Sequence, residues 1–293
     1  MRLGVVYPQT ELKGDPQAVH DIGLAAENLG YDHILVFDHV VGASHDREPK
    51  LWGPYTENHP FHDPFVMFGY WAGITRRIEM ATGVLILPQR QTVLVAQQAA
   101  DVDLLSHERL RLGVGTGWNY VEYDALGQDF ETRGARADEQ IPFLRRLWSE
   151  HVMSFEGRFD RIDKGNILPR PRRQIPIWVG GFTEPAFRRG GRLGDGYIFA
   201  GDIDHATQGW DRVRHHLKEA GRSEQGYGRD LITIRATDLQ QTVDTVKRWR
   251  DLGGTHATVN SMGKGLTTIA AHIDFISEVR HRVEAGNTAP MVV

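Results

Sequence analysis

Short apolar runs alternate along this chain with longer mixed stretches of helix length, and the alternation persists nearly from end to end. The runs Leu3 to Tyr7, His33 to Phe37, Ile78 to Leu87, Leu110 to Gly115, Ile175 to Val179, Tyr197 to Ala200, Leu231 to Arg235 and Thr255 to Asn260 predict strands. The stretches between them predict helices from Asp15 to Leu29, Asp63 to Thr75, Leu94 to Ser106, Glu131 to His151, Thr183 to Leu193, Ala206 to Ala220, Asp238 to Leu252 and Leu266 to Val283. Asp15 and Asp63, each followed by proline, suit N-caps, and Gly30 suits a C-cap. Strands that alternate with such helices imply βαβ units and a parallel sheet, and about eight units close a barrel. Two long segments break the rhythm. Gly42 to Phe61 is polar, proline-punctuated and aromatic, and the stretch from Asn119 to Phe130 reads as irregular; loops of that length are usually functional. Val152 to Asp163 predicts a short hairpin.

The most informative unit is Ile78 to Asn119, a strand, helix and strand whose two strands run into glycine-rich, hydrogen-bonding ends. Parallel sheets bind ligands at the carboxyl ends of their strands. At 293 residues the chain fits one α/β domain, 1–293. Its 40% hydrophobic and 25% charged residues are those of an ordinary globular protein. The net charge of -4 comes from 34 basic and 38 acidic residues mixed along the chain, which leaves no global field for nucleic acid or an anionic membrane. No apolar run approaches the roughly 18 residues of a membrane span, and the chain opens on a strand rather than a signal peptide, so a cytoplasmic location is expected. The absence of cysteine excludes disulfides, thiolate metal sites and cysteine nucleophiles.

Asp38-His39 ends a buried strand and puts an acid and an imidazole at the barrel mouth, where histidine can serve as acid, base or donor near neutral pH. The plainer reading is an Asp that caps backbone groups beside a loop His. Thr82-Gly83-Val84 marks either a bulge or a backbone that approaches a flat ring closely, with a non-proline cis bond among the possibilities. Gly113-Val-Gly115-Thr-Gly117 lacks the G-x-G-x-x-G spacing of a dinucleotide site, and its small residues with the Thr116 hydroxyl suit a ring edge better. Gly180-Gly181-Phe182-Thr183 lies between strand and helix, where free N–H groups can hold a phosphate, although Thr183 is equally an N-cap. Gly194-Asp-Gly196 reads as a turn. His59, His62 and Asp63 straddle a loop and a helix start, and the capping role of Asp63 argues against a metal there. Trp52, Trp118 and Tyr120 fall in the irregular loops and suit a substrate pocket. His215-His216 and Arg145-Arg146 read as solvated helix faces.

Taken in order, Val36-Phe-Asp-His-Val40, Ala81-Thr-Gly-Val-Leu-Ile-Leu-Pro88, Ala99-Ala-Asp-Val-Asp-Leu-Leu-Ser106, Arg109 to Asn119, Phe130 to Arg136, Pro176 to Gly181 and Arg192 to Gly196 form a specific set. In these segments the chain resembles the bacterial luciferase-like flavin oxidoreductase superfamily, and most of all its deazaflavin branch, which uses coenzyme F420. The resemblance implies a TIM (β/α)8 barrel with long insertions at its C-terminal face and a flavin-type cofactor lying across that face. It implies that Asp38 and His39 contact the ring system, with His39 as proton donor or base. Gly83-Val84 matches the family's non-proline cis peptide, a bulge that backs the ring. Thr116 and Gly117 fall along the ring and ribityl chain, Gly180, Gly181 and Thr183 near the phosphate, and Ile86, Gly115, Phe182 and Ala200 complete the expected cofactor set. The family also tends toward homodimers. One position departs from the pattern: the branch's sugar-phosphate dehydrogenases carry a glutamate where this chain has Trp118, which favours an apolar or aromatic substrate. The expectation is therefore hydride transfer between F420 and a small organic molecule in a pocket lined by Trp52 and Trp118. The alternatives are an FMN-dependent monooxygenase and a non-catalytic flavin-binding protein.

Overall fold

Eight strands, each begun or filled by residues that suit a wall with helices outside it, close into a parallel barrel. The computed structural model describes residues 1–285; residues 286–293, the end of the expected domain, lie outside them. In chain order the elements are β1 (Arg2–Val6), α1 (Pro16–Asn28), β2 (His33–Val36), α2 (Pro64–Ile74), β3 (Glu79–Thr82), β4 (Leu85–Ile86), α3 (Thr92–Leu105), β5 (Leu110–Gly115), α4 (Tyr120–Ala125) and α5 (Arg133–Ser149). There follow β6 (Met153–Glu156), β7 (Arg161–Gly165), β8 (Ile177–Gly180), α6 (Glu184–Leu193), β9 (Gly196–Phe199), α7 (Ile203–Glu219), β10 (Gly228–Ile232), α8 (Leu239–Asp251), β11 (His256–Val259) and α9 (Ile269–Ala285). The sheet runs β3-β2-β1-β11-β10-β9-β8-β5, and β5 pairs back to β3 through Met80 and Leu110, which closes the ring. β6 and β7 form a separate antiparallel hairpin, as expected from Val152 to Asp163.

The caps hold as anticipated: Asp15 accepts from the Gln17 N–H, Asp63 accepts from those of Phe65 and Val66, and Gly30 takes φ +75°. Side chains alternate across each strand, so one set faces the helices and the other fills the barrel. The outward set builds the large core with the helices, including Ile34, Met80, Leu112, Val179, Tyr197 and Leu231. The inward set splits by height. Toward the carboxyl ends it is apolar, with Val6, Leu35, Phe37, Ala81, Ile198 and Ile232, while toward the amino ends it is polar, with His33, Glu79, Arg111, Asp230, His256 and Thr258.

Three expectations are corrected. The single strand from Ile78 to Leu87 is two strands, broken at the cis Gly83-Val84 bond, after which β4 pairs with β5 and leads into a 3-10 turn at Leu87–Gln89. The strand placed at Leu231 to Arg235 begins three residues earlier, at Gly228, because its inward positions are Gly228 and Asp230 rather than apolar residues. The stretch from Asn119 to Phe130 is not wholly irregular, since it contains α4. Among the described residues no helix is long and apolar enough to cross a membrane.

Candidate active site

The carboxyl end of β2 is stopped by a side chain: Gln9 Oε1 accepts the Phe37 N–H at 2.9 Å, and the chain turns into Asp38 and His39. Asp38 is buried and fully engaged. Its Oδ1 accepts from Arg90 Nη2 at 2.7 Å, and its Oδ2 accepts from the Ile86 N–H at 2.9 Å and from Arg90 Nε at 3.4 Å. Arg90 also reaches Asp63 Oδ2 at 3.1 Å. Burial works against the Arg90 charge, but the two carboxylates outweigh it and raise its pKa. Asp38 thus ties β4 and the following turn to the end of β2.

His39 Nδ1 lies 2.8 Å from Glu122 Oε1. The same oxygen accepts from the N–H groups of Val40 at 3.2 Å and Val41 at 3.4 Å. The imidazole is ringed by Phe61, Tyr55 and Trp118, with centroids 4.8, 5.1 and 5.5 Å away. Burial pushes the Tyr55 phenol up to about 12, so it keeps its proton at neutral pH. A Cβ on Gly53 would strike the Trp118 ring, so the loop of residues 42–61 folds down onto it. Tyr120 donates from its hydroxyl to the Pro49 carbonyl, and Asn119 Nδ2 donates to Val41 O at 3.1 Å, which seals the same contact.

Glu122 was missed by the sequence reading. A signal was present: Asn119 caps α4 by accepting from the Val121 N–H, and Glu122 stands at the third helical position, the spacing of a capping box. In the fold that glutamate reaches His39 instead of turning back to the cap. Trp52, expected with Trp118 in the substrate pocket, is 72% exposed with Lys50 Nζ 4.5 Å over its ring, and the rings around His39 are those of Tyr55, Phe61 and Trp118.

Val84 projects across the barrel mouth between Gly115 and Gly180, whose Cβ atoms, if present, would come within 2.4 and 2.7 Å of its methyl groups. Gly117 adopts φ +63° against Ile86, and Thr116 O accepts from the Tyr123 hydroxyl at 2.8 Å. Ala200 packs against the inner apolar set. At the start of α6, Thr183 occupies the N-cap position without a side-chain capping bond, and Phe182 is exposed. Pro185 has no N–H and those of Ala186 and Phe187 already bond the Thr183 carbonyl, so the N–H groups of Thr183 and Glu184 are the ones left in this turn for an anion. Glu184, the first residue of α6, is drawn aside by His216 Nε2 at 2.6 Å and Arg212 Nη2 at 2.5 Å. His216 is buried and also bonds Glu219 at 2.8 Å, so it is not the solvated residue expected of it; Arg145 likewise bonds Asp195 and the Leu193 carbonyl. His59 Nδ1 is taken by Thr56.

A closed parallel barrel that gathers a histidine–carboxylate pair, glycine-lined strand ends and an uncapped helix start on its carboxyl face defines a barrel enzyme. The family model described as luciferase-like monooxygenase matches residues 1–284, and the chain belongs to that family of oxidoreductases. An uncharacterized protein of Mycobacterium tuberculosis is 34% identical over 245 residues, 80% of this chain and 82% of that one. An F420-dependent glucose-6-phosphate dehydrogenase of Intrasporangium calvum is 32% identical over 251 residues, 81% of this chain and 71% of that one. Among solved structures, the monooxygenase RslO1 of Streptomyces bottropensis superposes with a TM-score of 0.80 at 16% identity, covering 98% of this chain and 100% of the other. An F420-dependent secondary alcohol dehydrogenase in complex with an F420-acetone adduct does so with a TM-score of 0.80 at 18% identity, covering 96% and 98%. At these identities the structures establish the shared fold.

Proposed function

We propose that this protein is an F420-dependent oxidoreductase that moves a hydride between the deazaflavin and a small apolar or aromatic organic substrate, with His39 supplying or removing the accompanying proton. The observation that carries the reading is the His39–Glu122 pair at the barrel mouth, enclosed by Tyr55, Phe61 and Trp118. A titratable imidazole with one nitrogen committed and uncharged rings around it suits proton transfer to an apolar molecule better than recognition of a sugar phosphate. The F420-dependent name of the Intrasporangium calvum relative supports the deazaflavin over FMN.

The residues fit such a cofactor. Val84 offers an apolar surface over Gly115 and Gly180, where side chains would collide with it, and the uncapped start of α6 suits a phosphate. In this reading Val84, Ile86, Gly115, Thr116 and Gly117 border the ring and its chain, Gly180, Gly181, Phe182 and Thr183 take the phosphate, and Ala200 lies on the floor. Asp38 serves the site by holding Ile86. When bound, the deazaflavin supplies two-electron hydride chemistry. The protein's part is to orient it, to exclude water with the loop packed on Trp118, and to move a proton at His39. We read the assembly as a cytoplasmic homodimer.

Equilibrium binding of oxidised F420 and of FMN to the purified protein, followed by fluorescence, tests the cofactor. Micromolar or tighter binding of F420, with FMN much weaker, is expected. The reverse order, together with substrate-dependent oxygen uptake, would make the protein an FMN monooxygenase. Binding without reduction by any donor would leave a flavin-binding protein without catalysis.

A further inference from the structure

We propose that Glu122 is a positioning residue that fixes His39 in the tautomer with its proton on Nδ1, so that Nε2 is the nitrogen that exchanges a proton at the barrel mouth. The functional importance of this tautomer rests on the reading of His39 as the proton-handling group; the tautomer itself does not.

A neutral imidazole carries one proton, and the hydrogen bonds around the ring decide which nitrogen holds it. Here Nδ1 faces Glu122 Oε1 at 2.8 Å. That oxygen is already an acceptor, because the Val40 and Val41 N–H groups both point to it. Two backbone donors on one oxygen reserve it for accepting, so the remaining partner must donate, and Nδ1 is the only candidate in that contact. Nε2 is then the nitrogen with a lone pair, and it has no hydrogen-bond partner among the described residues. When Nε2 takes a proton, the ring becomes an imidazolium with the Nδ1 proton unmoved, and the buried Glu122 carboxylate sits against the new charge. The same oxygen also anchors the backbone just past His39 to α4, so one atom sets both the height of the ring and its protonation pattern. The bond crosses 83 positions of the chain, which makes its geometry a property of the closed barrel rather than of a local turn.

Nitrogen-15 NMR of full-length protein labelled at histidine tests this directly at a pH where His39 is neutral, with its resonances assigned by their loss in H39A. The wild type should show a protonated Nδ1 and an unprotonated Nε2. E122Q keeps an acceptor oxygen and should keep that pattern, while E122M removes it and should shift the tautomer ratio toward Nε2–H by about 10-fold or more. A wild-type spectrum dominated by Nε2–H, or an E122M ratio within about twofold of wild type, would overturn the proposal. If E122M fails to fold, the wild-type spectrum still decides. The result is independent of cofactor binding, so an Nδ1–H tautomer in a protein that binds no F420 would remove the proposed function and leave the pair intact.

Discussion

His39 and Glu122 stand 83 positions apart in the chain and 2.8 Å apart in space, and the chemistry assigned to the site depends on the second distance. Replacing His39 with Ala should leave F420 affinity within about threefold and lower turnover by about 100-fold or more, the usual contribution of a positioned general acid or base. Steady-state rates with the first donor found to reduce F420 check this, and an unchanged rate would remove His39 from the reaction. A second histidine has a different task. His256 lies at the amino end of the barrel, where burial, helped by the Arg111 and His33 charges, lowers its pKa to about 3 against the opposing pull of Asp230 and Glu79. Its folded value is therefore below its unfolded value of about 6.5, and the unfolded chain binds the extra proton. The sign follows: this contribution to stability is present above about pH 6.5 and is lost as the pH falls toward 3. Denaturant unfolding of H256N across that window should show a shallower acid limb than wild type, and superimposable limbs would exclude His256 as its source.

At the scale of elements, punctuation was legible and the barrel interior was not. Asp15, Gly30 and Asp63 announce helix ends because capping is local chemistry written in two or three neighbouring residues. β10 begins three residues before the apolar run that marks it, because Gly228 and Asp230 are inward positions, filled to suit Trp178 and Arg111 on other strands. The same holds for Glu122, whose partner lies on a distant strand end, and for Trp52, since nothing local tells which aromatic of a long loop turns inward. Helix α2 offers a further test. From Pro64 to Ile74 it has no charged residue, yet Val66 is 73% and Tyr70 45% exposed, and Gly69 and Gly73 share their face. A helix apolar all round is normally covered, and a second copy related by twofold symmetry is the simplest cover. Sedimentation should find wild-type dimers and convert them to monomers in V66E/Y70E. Monomeric wild type, or dimers that persist in the variant, would set this face aside.

Seen whole, the barrel divides stability and chemistry between its two ends. At the amino end Arg111 bonds Glu79 at 2.6 Å and Asp230 at 3.2 Å while its guanidinium lies 4.2 Å over Trp178. His33 and Thr258 complete the buried network around Asp230. Burial opposes the Asp230 charge, but the His33 hydrogen bond and the His33 and Arg111 charges override it and hold the carboxyl well below its usual range. Removing one partner of such a network leaves buried charge without compensation, at about 3–5 kcal/mol. R111M should therefore lower the melting temperature on the order of 10 °C for a chain of this size. The apolar layer of Val6, Leu35, Ala81, Ile198 and Ile232 separates this network from the carboxyl face, so F420 affinity measured well below the transition should stay near wild type. H39A should do the opposite, with a small effect on melting and a large one on turnover. Two variants at opposite ends of one barrel would then fail in opposite assays. If R111M weakened cofactor binding in proportion to its loss of stability, the two ends would be coupled through the wall, and the apolar layer would be a transmitter rather than an insulator.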